Sequence, residues 1–369
     1  MLKINPLSTL YVGIDVSSKS NYVCALDFFK NKYINSSFAN NQPGAEELAL
    51  KILECLNQHP DLTMVVAALE STSVYSIHIA NYLSSCEELM RFKPYVFVLN
   101  PKCTANYKKS YIGLGKSDPI DAFVIADYAR AGNIESEPWR GSQFLALKRL
   151  TRHRLHLVEC MTREKTYLIS NLYLKFSELQ MLEGDDQPFC DIYGATSSSV
   201  LMEYLSPEEI LASSEEDLIA FLAEKSRNRI KDISKTADLL KKAARDSYRL
   251  DKALYEPLNV SIASSFNCIE TFKREIKVID NAIEKEIKGL NPNAFIILQS
   301  IDGIGPVFAG GIIAEIGDIT AFHSSDALAK YAGLTWKSNQ SGDFDGEDTP
   351  MIKAGNRYLR YYLAKPPTV

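Results

Sequence analysis

The chain has 369 residues and a net charge of −5; 46% of its residues are hydrophobic and 24% are charged. This composition is typical of a globular protein of two or three domains and excludes a fibrous or disordered chain. No apolar run is long and clean enough to span a bilayer, and the start of the chain lacks a signal-peptide core. Seven scattered cysteines without a Cys-x-x-Cys pair favour a reducing cytoplasm and argue against zinc.

The charge is unevenly distributed. Residues 102–176 contain 13 lysines and arginines against 7 aspartates and glutamates, so this segment is basic within an acidic protein. A local basic surface is compatible with phosphate binding, although a solvated helix face explains the same pattern.

The first hundred residues alternate β-rich runs with helical ones. They predict the following elements in chain order: strands at 10–16, 22–26 and 32–38, a helix at 43–56, a strand at 64–70, a helix at 75–83 and a strand at 95–101. Three antiparallel strands followed by alternating helix and strand indicate an α/β layer fold of the ribonuclease H type. Function in open sheets gathers at strand ends, where Asp15 and Glu70 both stand.

The stretch GKSDPIDAFVIADYAR at 115–130 predicts a helix that follows a turn. Pro119 suits the first helical position, so Asp118 is expected to cap the helix, with Asp121 projecting from the same side. Two adjacent carboxylates repel each other unless a cation or a proton lies between them. Each acid taken alone reads as a cap or a surface residue.

The acids at 15, 70, 118 and 121 together predict a metal site, because hard oxygen donors suit Mg²⁺ or Mn²⁺. Two such ions can activate a water or a hydroxyl and stabilise the leaving oxygen in phosphodiester cleavage. Lys116, beside these carboxylates, could offset phosphate charge.

Residues 141–290 predict long, charged helices. Apolar residues recur every three to four positions between 144 and 176, and Arg149, Arg152 and Arg154 are among the basic residues between them. The pattern suits a helix that pairs with another helix, within or between subunits, and its basic faces could hold a nucleic-acid backbone. A solvated face is an equally good interpretation. Segments 184–188 and 196–199 are predicted to be loops.

The last region, 291–369, contains a second kind of motif. The sequence QSIDGIGPVFA at 299–309 matches a helix-hairpin-helix element, in which Gly303 and Gly305 would let backbone N–H groups approach a phosphate. A tight turn for helix packing is the alternative. Arg357 and Arg360 share one helical face that suits phosphate oxygens. Ser341 before a glycine is, by itself, an ordinary turn residue.

These motifs together resemble the DEDD transposases of the insertion-sequence 110 type, recombinases described as guided by a bridge RNA. The resemblance covers about 9–130 and 296–363 and rests on four pieces of sequence: GIDVS at 13–17, Glu70 with Tyr75 behind it, KSDxxDA at 116–122, and QSG at 340–342 followed by KxGNxxLR at 353–360. It implies an RuvC-like, ribonuclease H-like domain at 9–140 that binds metal through the four acids. It further implies a helical, coiled-coil linker used for dimerisation at 141–290 and a small all-α C-terminal transposase domain at 291–369.

The same resemblance implies a DNA recombinase whose nucleophile is Ser341. A serine hydroxyl needs a base or a metal for activation, and no His-Asp partner is evident nearby. Activation would therefore come from the carboxylate site, in a centre built from two domains or two subunits. The expected nucleic-acid contacts are Lys116, Arg149, Arg152, Arg154, Gly303, Gly305, Lys353, Asn356, Arg357 and Arg360. The implied partners are donor and target DNA, a structured non-coding RNA and further copies of the chain.

Two departures from the family leave alternatives open. The loop DFDGED at 343–348 is acidic where the family has basic residues, and the chain ends soon after Arg360, as a naturally short member or a truncated product would. One alternative is a metal-dependent junction resolvase in which water attacks the phosphodiester. A phosphotransferase of the actin and sugar-kinase type also opens on Gly-Ile-Asp, but it would need a repeated domain that the sequence lacks. The third is a non-catalytic nucleic-acid-binding protein.

Overall fold

The computed structural model describes residues 4–134, 137–336, 340–341, 344–345 and 350–364, with the backbone alone at the four residues 340, 341, 344 and 345. No helix in these ranges is long and apolar enough to cross a membrane.

The chain divides into two compact units. The first comprises Met1–Ala146 and Gly317–Leu328, and the second comprises Leu147–Ile316 and Ala329–Val369. The three-part division inferred from the sequence stays a prediction.

The first unit contains a five-stranded sheet. Its strands are β1 (Thr9–Val16), β2 (Ser20–Leu26), β3 (Lys32–Ala39), β4 (Met64–Glu70) and β5 (Tyr95–Leu99). Its helices are α1 (Gln42–Gln58), α2 (Tyr75–Ser85), α3 (Pro101–Lys108) and α4 (Asp118–Arg130), with 3₁₀ turns at Pro6–Ser8, Glu87–Phe92 and Ile319–Ala321. The strand order is β3-β2-β1-β4-β5; β2 is antiparallel to both of its neighbours, and β4 is parallel to both of its own. The five predicted strands, the antiparallel start and the α/β alternation are confirmed, although β5 ends at Leu99 and not at 101 as predicted.

Side chains of β1 alternate between two cores, as the pleat of a strand requires. Val12 and Ile14 belong to the core that includes residues of α1 and α2, whereas Tyr11 packs with Ala122 and other residues of α4. Asp15 continues the second set and therefore emerges on the face that α4 covers.

The backbone of α4 lies directly against β1 because residue 13 is glycine. A Cβ atom at Gly13 would stand 2.2 Å from the carbonyl oxygen of Ala122 and 2.3 Å from the amide nitrogen of Ala126. Asp121 immediately precedes this contact, and Asp15 follows Gly13 by two residues. The close approach therefore brings the first turn of α4 to the end of β1 that carries an acid.

Two predictions for this unit are wrong. Asp118 does not cap α4: Ser117 is the extended N-cap residue, and its carbonyl oxygen accepts the N–H of Asp121 at 2.9 Å. The Asp118 carboxylate is therefore not used in capping. The sequence interpretation also missed α3, although two usual signs of a helix start are present. The Asn100 side chain caps the helix by accepting the N–H of Lys102 at 3.0 Å, and Pro101 opens it.

The second unit is mostly helical. The first of its helices, α5 (Ser142–Lys175), begins in the first unit and continues into the second. The others are α6 (Ala195–Glu203), α7 (Pro207–Ala212), α8 (Glu215–Ser226), α9 (Ile233–Asp246), α10 (Lys252–Leu290), α11 (Pro292–Gln299), α12 (Pro306–Ile316), α13 (Ser325–Ala332), whose first four residues belong to the first unit, and α14 (Arg357–Ala364). Shorter elements are the 3₁₀ turns Ser177–Gln180 and Gly184–Asp186 and the antiparallel pair β6 (Gln340–Ser341) and β7 (Phe344–Asp345).

The long helices predicted for the middle of the chain are confirmed. Leu168 and Leu172 of α5 share a core with Ile262 and Phe266 of α10, so these helices pack within one chain. Pairing between subunits stays a prediction. The predicted loop at 196–199 is wrong, because these residues belong to the first turns of α6. The buried Ser197 hydroxyl donates to the carbonyl oxygens of Asp191 and Gly194, which satisfies this polar side chain within the helix start.

Candidate active site

Asp15 and Glu70 stand at the carboxyl ends of two neighbouring parallel strands. Ile14 of β1 pairs with Leu69 of β4, so the two acids follow at the same level of the sheet. Together with Asp121 from the first turn of α4, they line a cleft of about 480 Å³. The structure thus brings together three of the four acids that the sequence singled out. The fourth, Asp118, is exposed at the start of α4 and lies near enough for its charge to act on Asp15.

The electrostatics of the cleft show an excess of negative charge. Burial raises the pKa of Asp15 to about 6, with further contributions from the carboxylates of Asp121, Asp118 and Glu70. The ammonium group of Lys108 opposes these effects only in part. A carboxyl group whose pKa is raised by other carboxylates marks a place where a cation is favourable.

The donor set fits a divalent cation of the magnesium type, since it consists of carboxylate oxygens. As the side chains stand, no group of three Asp, Glu, His or Cys residues among the described residues could hold an ion. Two of the carboxylates already have partners: Glu70 accepts a hydrogen bond from the Thr104 hydroxyl, and Asp121 is ion-paired with Lys108. Each of these contacts occupies one oxygen of its carboxylate and so competes with a metal ion for that group.

The sequence interpretation missed Thr104 and Lys108, which both belong to α3. They line the cleft with the acids, as does Lys116, the predicted phosphate contact. The signal that could have found them is the Asn-Pro pair at 100–101. A helix predicted from that pair places residues 104 and 108 on one face, because they are four positions apart.

The third acid of α4, Asp127, anchors the wall of the cleft. Its side chain is fully buried; it accepts hydrogen bonds from Tyr107 at 2.8 Å and from Tyr111, and it pairs with Arg130 at 2.6 Å and Lys30 at 3.2 Å. Burial alone would raise the pKa of Asp127, but these bonds outweigh burial and lower it. The charged Asp127 therefore joins the end of α3, and the loop after it, to α4.

The stretch 299–309, for which the sequence predicts a helix-hairpin-helix element, joins two helices. α11 and α12 flank a turn in which Gly303 adopts a φ of 85°, and Pro306 opens α12. Packing also constrains this region, since a Cβ atom on Gly311 would lie 2.3 Å from the ring of Tyr362. Phosphate binding by Gly303 and Gly305 stays a prediction.

Ser341 belongs to β6, and its side chain lies outside the described residues, as do most of the acidic loop at 343–348 and residues 365–369. Hydrogen bonds join the residues on the two sides of the segment 333–352, which contains Ser341. Arg360 donates to the carbonyl oxygens of Ala332 at 2.9 Å and Lys353 at 3.0 Å, on either side of that segment. The backbone N–H of Asn356 donates to the carbonyl oxygen of Tyr331 at 2.7 Å. These bonds close the segment at its base.

A buried glutamate organises the same region. Glu315 is 2% exposed and accepts two bonds from Arg152, at 2.7 and 2.9 Å, and one from the Asn356 amide at 2.8 Å. Lys148 stands 3.5 Å away. Burial alone would raise the pKa of Glu315, but the bond from Arg152 and the nearby cations outweigh burial and lower it. The glutamate is therefore charged and fixes the N-terminus of α14, which Asn356 caps.

Several predicted nucleic-acid contacts thus have internal partners in the second unit. Besides Arg152, Asn356 and Arg360, Arg154 is ion-paired with Asp280 at 2.6 Å. Arg149, Lys353 and Arg357 are exposed, although Arg357 also stands 3.5 Å from Glu159. Nucleic-acid binding by these side chains stays a prediction.

Replacing Glu315 by glutamine is expected to lower the free energy of unfolding at pH 7 by about 3 kcal/mol, because Arg152 loses its buried counter-charge. Since folding lowers the pKa of Glu315, its contribution is complete above the ordinary value of 4.5 and is lost as the pH falls below it. The difference in the free energy of unfolding between the unmodified protein and Glu315→Gln should therefore become smaller at acidic pH. Urea unfolding followed by circular dichroism at pH 7 and pH 4 measures it.

The matched control is Glu159→Gln, which removes one member of the exposed pair with Arg357 and should change stability by less than about 1 kcal/mol. A Glu315→Gln difference that did not depend on pH would contradict the charged state of Glu315.

Comparison with known proteins defines the class. A transposase model of the DEDD IS110 type matches residues 12–177, and a model described as the transposase IS116/IS110/IS902 family matches residues 296–367. All four acids, Asp15, Glu70, Asp118 and Asp121, lie within the first match, and the turn with Gly303 and Gly305 lies within the second. The class is that of the DNA transposases and recombinases.

Full-length relatives support the same conclusion. The insertion element IS900 uncharacterized 42 kDa protein of Mycobacterium paratuberculosis is 25% identical over 359 residues, 96% of this chain and 83% of the relative. The insertion element IS116 uncharacterized 44.8 kDa protein of Streptomyces clavuligerus is 24% identical over 369 residues, 95% of this chain and 82% of the relative. The pilin gene-inverting protein of Moraxella bovis is 26% identical over 364 residues, 98% of this chain and 83% of the relative. The chain belongs to the IS110-type transposase family.

Proposed function

We propose that this enzyme cuts and rejoins DNA strands with a carboxylate-bound Mg²⁺ or Mn²⁺ site in an RuvC-like domain and with Ser341 as the nucleophile. The observation that carries the metal site is the convergence of Asp15, Glu70 and Asp121 on one cleft at the carboxyl edge of the sheet. The negative potential that acts on Asp15 supports the same site.

Each group of the cleft has a distinct role in this proposal. Asp15, Glu70, Asp118 and Asp121 hold the divalent cation, and Lys116, which lines the cleft, neutralises part of the charge of a bound phosphate. When bound, the cation would polarise the phosphate and lower the pKa of the attacking hydroxyl.

The chemical step is a transesterification. The Oγ atom of Ser341 attacks the phosphorus atom of a phosphodiester, forms a serine–phosphate ester and releases one deoxyribose hydroxyl. The proton of the serine passes to the leaving oxygen. A hydroxyl of a new strand end then attacks the ester, takes over the phosphate and restores the serine, so no external energy source is needed.

The wider context of the reaction follows from the family. The substrates are donor and target DNA, and we propose that a structured non-coding RNA selects them and that the active form is a homo-oligomer. The similarity to a pilin gene-inverting protein supports DNA rearrangement as the outcome. The proposed location is the cytoplasm, where the seven free cysteines would stay reduced.

The test is the covalent protein–DNA adduct. Purified protein, the RNA that co-purifies with it and end-labelled DNA should give an adduct that survives denaturation, and Ser341→Ala should abolish it because the nucleophile is missing. The control is Ser338→Ala, a change of the same size three residues away, which should keep the adduct. An unchanged adduct in Ser341→Ala would rule out this serine.

The second candidate is a metal-dependent nuclease in which water is the nucleophile. This candidate needs only groups of the first unit, to which all four acids belong. Cleavage without any adduct in the unmodified protein would establish it in place of the recombinase.

A further inference from the structure

Lys108 is a cationic residue of the cleft that contacts one of the four acids directly. Its ammonium group is ion-paired with Asp121, with the two side chains 23% and 27% exposed, and it lines the cleft beside Asp15 and Glu70. Its charge also acts on Asp15. One lysine thus provides part of the positive charge that the carboxylates require.

The position of Lys108 is determined by the residues around it. The preceding Tyr107 bonds to the buried Asp127 at 2.8 Å, and Thr104, one turn earlier on α3, bonds to Glu70. α3 is therefore attached both to the sheet and to α4. These bonds hold the last turn of α3 in a position from which the Lys108 side chain reaches Asp121.

A divalent cation and the Lys108 ammonium group would both interact with the carboxylate of Asp121. Both carry positive charge, so they repel each other when they are close, and the pair of Lys108 with Asp121 opposes the binding of an ion to that carboxylate. The absence of a ready-made group of three metal-binding side chains among the described residues agrees with this arrangement.

We propose that Lys108 is an internal counter-ion that neutralises the cleft in the metal-free protein, competes with the divalent cation for Asp121, and is displaced when the cation binds. The inference rests on the proposed function, because it requires that the cleft bind a metal. Lys108 is in this view a regulator of metal affinity, and its displacement leaves a free ammonium group at the edge of the cleft.

The test is Mn²⁺ binding to the full chain without DNA, measured by isothermal titration calorimetry. Lys108→Met should bind Mn²⁺ about tenfold more tightly than the unmodified protein, which corresponds to a change in binding free energy of about 1.4 kcal/mol. This energy lies between the interaction energy of two close unit charges in water and that of the same charges near a protein surface. Lys108→Arg keeps the charge and should stay close to the unmodified protein. Lys109→Met is the matched control, since Lys109 is exposed and bonds only to Asn106 among the contacts described, at 3.1 Å.

A second measurement needs no variant. Mg²⁺ at saturation should increase the rate at which acetic anhydride modifies Lys108 several-fold, because the freed ammonium group becomes accessible, while the rate at Lys109 stays the same. Mass spectrometry of tryptic peptides resolves the two sites.

The outcomes separate this inference from the proposed function. Unchanged or weaker Mn²⁺ binding by a folded Lys108→Met protein, or a modification rate at Lys108 that Mg²⁺ does not change, would overturn the competition. If the unmodified protein and the Lys108→Met variant both bind no Mn²⁺, the metal site itself is wrong and the competition falls with it.

Discussion

Replacing Gly13 by alanine is expected to lower the free energy of unfolding by about 3 kcal/mol or more. The new methyl group would stand 2.2 Å from the carbonyl oxygen of Ala122 and 2.3 Å from the amide nitrogen of Ala126. Both atoms belong to the backbone of α4, which cannot move aside as a side chain can. The helix would have to shift away from β1, and Asp121 would move with it away from Asp15. Thermal and urea unfolding, together with DNA cleavage, measure the two effects.

The control for this change is Gly115→Ala. Gly115 also lines the cleft, but among the described residues no heavy atom beyond its two chain neighbours lies within 4 Å of the position that its Cβ would take, and its φ is not in the left-handed region. Its replacement should change stability by less than about 0.5 kcal/mol. A Gly13→Ala protein as stable as the Gly115→Ala protein would contradict the close contact of α4 with β1.

Replacing Asp121 by asparagine is expected to lower strand cleavage by at least about a hundredfold, the scale of losing one group that stabilises the transition state. Asparagine has nearly the same shape but no negative charge, so it can neither hold a divalent cation well nor pair with Lys108. Stability should fall by no more than about 1 kcal/mol, because the pair with Lys108 is partly exposed. DNA binding should persist, which a mobility-shift assay measures beside the cleavage assay.

Asp61→Asn is the matched control, since Asp61 is an exposed aspartate in the loop before β4. It should leave cleavage unchanged. Full cleavage by Asp121→Asn would exclude this carboxylate from the reaction and would remove the main support for the metal site.

Most strands and helices of the first unit could be predicted from the sequence, because each depends on residues that are neighbours along the chain. The apolar run that ends in Asp15 and the run that ends in Glu70 predicted β1 and β4, which the structure confirms. The helix at 118–130 followed from its turn and its proline. Its cap did not, because the carbonyl group of Ser117, and not a side chain, closes the first turn.

The partners of the acids were not readable in the same way. Thr104 and Lys108 lie 34 and 13 residues from the carboxylates that they contact. The buried Glu315 takes its partners from α5 and from the start of α14, at sequence distances of 163 and 41 residues. No periodicity in the sequence encodes such pairs, because they depend on how helices pack.

The sequence by itself determined the five strands of the sheet and most of the helices, although not α3 or α6, together with the acids at the strand ends and the family motifs. These features reside in short stretches whose physics is local. Only the tertiary structure decided that α4 contacts β1 through Gly13, that three acids line one cleft, and that Lys108 pairs with Asp121. It also decided that Arg152 and Arg154 have carboxylate partners inside the unit. These features arise where distant segments meet, and the burial and charge that govern them exist only once the chain has folded.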